Sequence, residues 1–321
     1  MRATAVAQPN IALIKYWGKR DRDLNLPAVG SLSVTLGSIG TRTTVDFDSA
    51  LSADRVYINA HEEESTNRRV RKCLDRFREK AGIAHKAVVT TENDFPTDAG
   101  LASSASGFAA LVAAVDRALD LNLGADELSD IARTGSGSAP RSLYGGFVLL
   151  ENDSSGGTRC RSVLGPEEWP WSIIIAVTSE ASKKVSSTNG MELSKTTSPY
   201  FSRWVKTHDA DLQAAVTAIK NKNFEKLGEL AERSCLKMHA VAMASNPPLL
   251  YWSGATLECA QRVRELRKSG VPAFFSIDAG PQLKAFCLPE SSEVVRETLE
   301  NVPGVLRVIS SELGEGARIV E

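Results

Sequence analysis

The sequence predicts a protein of about two domains in which strands and helices are mixed, and three observations lead to this prediction. The chain has 321 residues, and compact domains contain about 150 residues each. Its first third carries short runs of β-branched residues with alternating polarity. Its second half is dominated by longer stretches with helical spacing. The chain is therefore long enough for a core of ordinary size.

The composition is that of an ordinary globular protein. Hydrophobic residues make up 42% of the chain and charged residues 24%, with 38 basic and 39 acidic side chains. This balance excludes a disordered chain, a collagen and a coiled coil. A net charge of -1 provides no global field for holding a polyanion, so we expect no nucleic-acid partner.

Cysteine usage and apolar runs indicate a cytoplasmic protein. The five cysteines stand at wide spacings without a Cys-x-x-Cys pair, which favours neither a disulfide framework nor a zinc site and fits a reducing compartment. The chain begins directly with a predicted strand, and its longest apolar run, 173–177, is far shorter than a membrane span. We expect no membrane partner.

The first half of the chain carries strand signals separated by glycine and proline turns, and one amphipathic helix interrupts them. In that helix Val70, Cys73, Leu74 and Phe77 recur at helical spacing, while arginines and lysines occupy other positions. Two further helices follow, the first of them rich in small residues. The predicted strands are 5–16, 31–36, 41–47, 55–58 and 87–91, and the predicted helices are 66–81, 104–119 and 126–133.

From residue 146 onward the sequence predicts two strands and then mainly helices. The two strands are separated by the sequence Asn-Asp-Ser-Ser-Gly-Gly, which is typical of an exposed turn. We place a domain boundary near Pro170, so the predicted domains are 1–170 and 171–321. The predicted strands are 146–151, 172–177 and 273–277, the predicted helices are 199–208, 209–220, 223–242 and 249–269, and a last helix and strand follow residue 290.

A segment of small residues between a predicted strand and a predicted helix favours phosphate binding. Residues 96–107 read PTDAGLASSASG. Small residues let the backbone approach an anion, the N–H groups at the helix start point toward it, and serine hydroxyls can reach phosphate or Mg²⁺. The common P-loop pattern, Gly-x4-Gly-Lys-[Ser/Thr], is absent. The structural alternative is a small-residue helix packed tightly on a sheet.

A second glycine- and serine-rich segment, 135–142, also favours an anion and adds a fixed cation. It reads GSGSAPRS, so a donor-rich backbone is followed by Arg141, whose planar fork matches a carboxylate or a phosphate. The alternative is a flexible linker with a surface arginine. A nucleotide and a phosphorylated acceptor would need one such segment each.

Near the N-terminus, residues 10–20 read NIALIKYWGKR and place two lysines around an aromatic pair. On a strand, alternation puts Lys15 on the face opposite Ile14 and Tyr16, so one of these faces is expected to meet a site. Lys19 follows the predicted turn at Gly18. The alternative is an exposed edge strand protected by lysines.

A carboxylate stands at a tight turn in residues 276–281, which read Ser-Ile-Asp-Ala-Gly-Pro and end a predicted strand. An aspartate at such a turn usually caps the turn. Asp278 becomes a catalytic candidate only in the company of the segments described above.

At these residues the sequence resembles the mevalonate diphosphate decarboxylase family of the GHMP kinase superfamily. Residues 96–106 resemble the phosphate-binding motif of the superfamily as a whole. The motifs Lys-Tyr-Trp-Gly-Lys, Gly-Ser-Gly-Ser-Ala-x-Arg-Ser and Asp-Ala-Gly-Pro are far more specific. With 24–27, 31–36 and 186–191, these motifs spread the resemblance over nearly the whole chain.

The resemblance implies an α+β, two-domain GHMP-kinase fold. The N-terminal, ATP-binding domain is then ribosomal-protein-S5-like, with a mixed sheet covered by helices. The C-terminal domain is ferredoxin-like and completes an active site between the domains. The predicted order of strands and helices agrees with this fold, and the family further implies a homodimer.

The activity that the resemblance implies is the ATP-dependent decarboxylation of mevalonate 5-diphosphate to isopentenyl diphosphate, with release of ADP, phosphate and CO₂. ATP and Mg²⁺ are the implied cofactors. Asp278 would orient or deprotonate the C3 hydroxyl, and Lys15 would stabilise charge on the transferred phosphoryl group. Arg141 would hold the C1 carboxylate with support from Asn10.

The resemblance also implies two sets of binding residues, with Ser104 near Mg²⁺ as well. Related enzymes act on mevalonate 5-phosphate or only phosphorylate mevalonate at C3, so these reactions, another GHMP small-molecule kinase and a non-catalytic relative are the alternatives. The acceptor set is Tyr16, Lys19, Arg69, Ser136, Ser138, Arg141, Ser187 and Thr188, and the ATP set is Pro96, Gly100, Leu101, Ala102, Ser103, Ser104 and Ala105.

Overall fold

The computed structural model describes residues 1–95, 103–181 and 185–320, apart from the side chains of 65–67. Strands are numbered here in chain order. They are Arg2–Ala7 (β1), Asn10–Ile14 (β2), Lys19–Asp21 (β3), Leu26–Pro27 (β4), Ser31–Thr35 (β5), Thr41–Asp48 (β6), Arg55–Ile58 (β7), His61–Glu62 (β8), Lys86–Asn93 (β9), Phe147–Asn152 (β10), Thr158–Leu164 (β11), Ser172–Val177 (β12), Ala273–Ile277 (β13), Leu283–Cys287 (β14), Arg307–Glu312 (β15) and Arg318–Ile319 (β16).

The helices are long enough to cover these strands, and two short 3₁₀ turns connect elements at 139–143 and 289–291. Among the described residues no helix is both long and apolar enough to cross a bilayer. The helices are Glu64–Ala81 (α1), Ser103–Ala118 (α2), Ala125–Gly135 (α3), Ser187–Thr197 (α4), Phe201–Lys220 (α5), Phe224–Met243 (α6), Gly254–Lys268 (α7) and Ser292–Glu300 (α8).

Three large sheets organise the described chain. The first has the order β16-β1-β6-β9-β7-β8, the second β11-β10-β5-β2 and the third β13-β14-β12-β15. Buried and exposed residues alternate along β6, as expected when one sheet face packs on a helix, and α2 packs there against β1 and β6. The predicted α+β class is confirmed.

Helix α6 connects the second and third sheets, because it packs against β2 and β13 at once. Both strands are buried along their whole length. The largest apolar cluster also runs across the two sheets, from Ile11 through Phe147 and Trp171 to Phe274. The halves on either side of Pro170 therefore share a core, and the boundary at that residue stays a prediction.

Several predicted elements have different bounds in the structure. The predicted strand 5–16 is two strands, β1 and β2, in different sheets. They separate next to Pro9, whose nitrogen has no hydrogen to donate to a ladder. The predicted helices 199–208 and 209–220 form the single helix α5. Helix α4 and the strands β3, β4, β8, β11, β14 and β16 were not predicted.

Helix α7 begins later than the predicted residue 249, for a reason that is visible at its start. The Ser253 hydroxyl accepts a hydrogen bond from the Thr256 amide at 3.2 Å, and the Thr256 hydroxyl accepts one from the Ser253 amide at 3.1 Å. This capping box satisfies two N–H groups and defines the start of the helix.

A buried ion pair ties α1 to the first sheet. Asp54, just before β7, accepts hydrogen bonds from both terminal nitrogens of Arg78 and from the Ala87 amide. Both side chains of the ion pair are buried. Arg78 also contacts the exposed Asp75 carboxylate at 2.8 Å. Because the Asp54 pair is buried and bidentate, its loss leaves a charge without compensation.

Asp54→Ala is expected to lower the free energy of unfolding by about 3–5 kcal/mol, because it strands the buried guanidinium of Arg78. Urea denaturation at pH 7 measures this loss. Asp75→Ala is the control, since an exposed pair with the same arginine contributes at most about 1 kcal/mol. Equal losses in the two variants would contradict the importance assigned to the buried pair.

Candidate active site

A cleft of about 830 Å³ lies where the end of β2, the start of α2, the segment after α3 and the β13–β14 turn meet. Every described residue of the predicted catalytic and binding sets lines it. Pro96, Gly100, Leu101 and Ala102 lie outside the described residues. The residues brought together are Asn10, Lys15, Tyr16, Lys19, Arg69, Ser103, Ser104, Ala105, Ser136, Ser138, Arg141, Ser187, Thr188 and Asp278.

Lys15 lies one residue beyond the end of β2. Its backbone amide donates to the Ser234 hydroxyl on α6 at 3.0 Å, and its side chain is 1% exposed. Although β2 is the edge strand of its sheet, α6 covers it. The alternative of an exposed edge protected by lysines is therefore wrong, and burial leaves the ammonium group one direction, toward the cleft.

Asp278 holds its carboxylate between two ammonium groups. Lys15 Nζ lies 2.6 Å from Oδ1, and Lys284 Nζ lies 3.2 Å from Oδ2. Burial by itself raises the pKa of Asp278, but the two lysines outweigh it and hold the pKa well below its ordinary value. The carboxylate stays ionised and faces the cleft, where it is more than a turn cap.

Arg141 is buried in the 3₁₀ turn after α3, so the alternative of a linker with a surface arginine is wrong. Its Nε donates to Asn10 Oδ1 at 3.0 Å and its Nη1 to the Ser31 hydroxyl at 2.8 Å. Asn10 Nδ2 in turn donates to the Ser142 hydroxyl at 2.8 Å. In the described part of the chain Nη2 makes no hydrogen bond, so both of its N–H groups remain available in a side chain that lines the cleft.

Tyr16 presents a neutral hydroxyl beside this arginine. Its ring centroid lies 5.8 Å from Arg141 Cζ, and its buried Oη has no hydrogen-bond partner among the described residues. Burial raises the pKa of Tyr16 to about 12. A Cβ at Gly137 would lie 2.4 Å from Oη, so a side chain at this position would displace the hydroxyl.

Lys19 joins the N-terminal segment to α4. Its Nζ donates to Asn25 Oδ1 at 2.5 Å and to the Thr188 hydroxyl at 3.2 Å. Burial, with nearby Arg22 and Arg69, lowers the pKa of Lys19 to about 8. The ammonium group is therefore short of counter-charge, and an anion in the cleft would raise its pKa again.

Three basic residues that sequence reasoning missed also line the cleft, namely Arg22, Arg68 and Lys72. With the four predicted ones, seven described basic side chains lie there against two acidic ones, Asp23 and Asp278. The missed pair on α1 lies four residues apart and so on one helix face. The sequence does show a row of basic residues on that helix, but it does not distinguish a helix face that lines a binding site from one that is exposed to solvent.

A second cavity, of about 290 Å³, adjoins the first and shares Arg69, Ser103 and Ser104 with it. Arg69 Nη1 lies 3.4 Å from both Ser104 Oγ and the Gly135 carbonyl oxygen. Arg69 thus lies between the two anion segments. The remainder of the cavity wall is mainly apolar and includes Val56, Ile58, Val89, Phe108 and Leu111.

Family models match both halves of the chain. Residues 7–162 match the diphosphomevalonate decarboxylase-like N-terminal domain. Residues 173–317 match the mevalonate 5-diphosphate decarboxylase C-terminal domain.

Relatives match over nearly the full length. The diphosphomevalonate decarboxylase of Candida albicans is 35% identical, covering 98% of this chain and 96% of the relative. The crystal structure of mevalonate diphosphate decarboxylase from Staphylococcus aureus has a TM-score of 0.93 at 38% identity, covering 100% of this chain and 98% of that one.

A further structure, MDDEF in complex with MVAPP, AMPPCP and magnesium, has a TM-score of 0.92 at 36% identity and covers 100% of this chain and 99% of that one. These likenesses confirm the predicted GHMP-kinase fold. With two family models in chain order and relatives above 30% identity over almost every residue, the chain belongs to the diphosphomevalonate decarboxylase family.

Proposed function

We propose that the chain catalyses the ATP-dependent decarboxylation of mevalonate 5-diphosphate to isopentenyl diphosphate, with release of ADP, phosphate and CO₂. The observation that carries the proposal is the convergence of Asp278, Lys15 and Arg141 on one cleft with a strongly basic wall. An anionic acceptor, a hydroxyl to be phosphorylated and a carboxylate to be lost each find a matching group there. The relatives named above carry this activity in their names.

The first step transfers the terminal phosphoryl group of ATP to the C3 oxygen of the acceptor. The bond between the terminal phosphorus and the bridging oxygen breaks, ADP leaves, and the C3 oxygen bonds to phosphorus while its proton is released. Asp278 accepts a hydrogen bond from the C3 hydroxyl and aligns it. Because this transition state is loose, the hydroxyl can keep its proton until late, so a carboxylate with a low pKa is sufficient.

In the same step Lys15 stabilises the negative charge that develops on the transferred group. The lysine is buried beside Asp278, so its ammonium group is already in place when the acceptor binds. Preorganised charge of this kind needs no reorganisation during the reaction.

The second step removes the carboxylate. The C3–O bond breaks with phosphate as the leaving group, and the electron pair of the C1–C2 bond becomes the C2=C3 double bond as CO₂ departs. Arg141 holds the carboxylate through Nη2, since Nε and Nη1 are already engaged by Asn10 and Ser31.

The basic wall of the cleft supports a diphosphate on the acceptor. Lys19, Tyr16 and Arg69 all line the cleft, Arg69 from α1. The hydroxyls of Ser136, Ser138, Ser187 and Thr188 also line the cleft and can donate hydrogen bonds. Several cations around one pocket match a group with about three negative charges better than a neutral acceptor.

ATP fits the other end of the cleft. Ser103 and Ser104 stand in the first described turn of α2, where helix N–H groups attract phosphate, and the adjoining cavity offers apolar walls for a base. Within the described ranges no cluster of three or more His, Cys, Asp or Glu side chains forms a metal cage. The Ser104 hydroxyl would hold Mg²⁺ together with the nucleotide phosphates, and the ion would supply charge neutralisation.

A cytoplasmic homodimer remains part of the proposal. The described cysteines are free thiols, and all five are buried, which supports a reducing compartment. The homodimer is what the family implies.

We expect equal amounts of ADP, phosphate and CO₂ from mevalonate 5-diphosphate with ATP and Mg²⁺, because the cleft combines the Asp278 carboxylate with a basic wall that suits a polyanion. Parallel assays with mevalonate and its 5-phosphate measure acceptor preference as kcat/KM. A higher kcat/KM for the monophosphate would overturn the acceptor and keep the reaction class. ADP without CO₂ would identify a kinase.

Asp278→Asn keeps the size of the side chain but removes the charge that the two lysines face. We expect kcat to fall by about 10²- to 10⁴-fold, with both substrates still bound. Coupled ADP release measures turnover, calorimetry measures binding, and an unchanged thermal midpoint serves as the folding control. A variant that keeps more than about a tenth of kcat, a loss below about 1.4 kcal/mol, would refute the catalytic role.

The depressed pKa of Lys19, about 8, predicts an alkaline limb in the kcat/KM of the acceptor. Below this pH the ammonium group is charged and binds the diphosphate, and above it that attraction is lost in the free enzyme. Lys19→Arg keeps its charge, so the limb should move to higher pH while KM for ATP changes little. Lys80→Arg, on the exposed end of α1, should leave the profile unchanged. A limb that stays near pH 8 in Lys19→Arg would assign it to another group.

A further inference from the structure

A second lysine, Lys284, forms an ion pair with Asp278 from the side away from the cleft. Lys284 belongs to β14, and it pairs with Ser276 in the antiparallel register of β13 and β14. Paired residues share a face, and side chains two residues apart share it too. This register places Lys284 beside Asp278, with Nζ 3.2 Å from Oδ2.

Lys284 is unusual in its burial. Its side chain is 1% exposed, and it is not among the described residues that line the cleft. Besides Asp278, its ammonium group contacts the Gln282 carbonyl oxygen at 3.3 Å. Since burying an ammonium group costs free energy that an apolar side chain would not, stability alone does not explain a lysine at this position.

The two lysines face different surroundings. Lys15 lines the cleft, where the transferred phosphoryl group would bind, and its Nζ forms an ion pair with Asp278 Oδ1. An ammonium group has three donors, so Lys15 can keep its contact with Asp278 while it donates to that group, but its charge is then shared between the two anions and the carboxylate loses part of its counter-charge. Lys284 remains on Oδ2 and keeps the carboxylate ionised and oriented.

The other groups around Asp278 cannot take over this role. His239 and Cys235 on α6 contact the backbone of Ile277. Burial, helped by Lys15, lowers the pKa of His239 to about 3, and burial raises that of Cys235, so both stay neutral near pH 7. Arg141 adds positive potential, but its own hydrogen bonds go to other groups.

We propose that Lys284 is a positioning residue that holds the Asp278 carboxylate in place and charged while Lys15 serves the phosphoryl group. The proposal rests on the proposed function for its catalytic consequence. The placement of Asp278 between the two lysines is independent of which acceptor is used.

The test compares Lys284→Met, which keeps the length and removes the charge, with Lys284→Gln, which keeps a hydrogen-bond donor. We expect kcat to fall about tenfold or more in both variants. We expect KM for ATP and for mevalonate 5-diphosphate to change less than about threefold. Lys237→Met is the matched control, because Lys237 pairs with Asp211 at 2.7 Å outside the cleft.

A structural role would give a different result. If Lys284 only stabilises the hairpin, the variants lower the thermal midpoint while kcat per folded enzyme stays at the parent value, and the proposal fails. Parent kcat in Lys284→Gln alone would also overturn it, because a hydrogen bond without charge would then be sufficient.

A second readout needs no turnover. In protein labelled with ¹³C at aspartate carboxyls, the Asp278 resonance is assigned by its absence in Asp278→Asn. We expect it to titrate at a pH higher by about one unit or more in Lys284→Met. An unchanged titration overturns the positioning role. If the parent protein releases no CO₂, the proposed function fails while this titration still decides the role of Lys284.

Discussion

The pair between Lys15 and Asp278 is the interaction on which the site depends, because it joins residues 263 positions apart in the chain. One stands at the end of β2 and the other at the end of β13, and α6 packs against both strands. A short ion pair in this place tolerates little relative movement of the two sheets. The shared apolar core beneath it supplies the rigidity that the geometry needs.

Charge explains much of the remaining arrangement. The described cleft holds more basic than acidic side chains. The acidic groups are therefore too few to pair with every basic one. Lys19 has a lowered pKa, and the Arg141 guanidinium is held by Asn10 and Ser31, which are neutral. Positive charge in the cleft is only partly compensated when no anion is present. A bound anion compensates it, and this favours binding of an anionic substrate.

Sequence reasoning was most successful where a motif is local. The segments around Lys15, Arg141 and Asp278 were each singled out, and their residues do meet in the cleft. It failed where the element itself was missed. Lys284 lies in an apolar strand of five residues, LKAFC, which was not predicted, and a lysine at such a position is ordinarily expected at the surface.

The sequence by itself determined the mixture of strands and helices, the small-residue segments suited to anions and the family, because periodicity and motifs are properties of neighbouring residues. Only the tertiary structure decided that Asp278 lies between two lysines, that the described residues leave Arg141 Nη2 without a hydrogen bond and that α1 turns cations toward the cleft. Burial and charge compensation depend on contacts between residues distant in the chain. Spacing along the sequence does not contain those contacts.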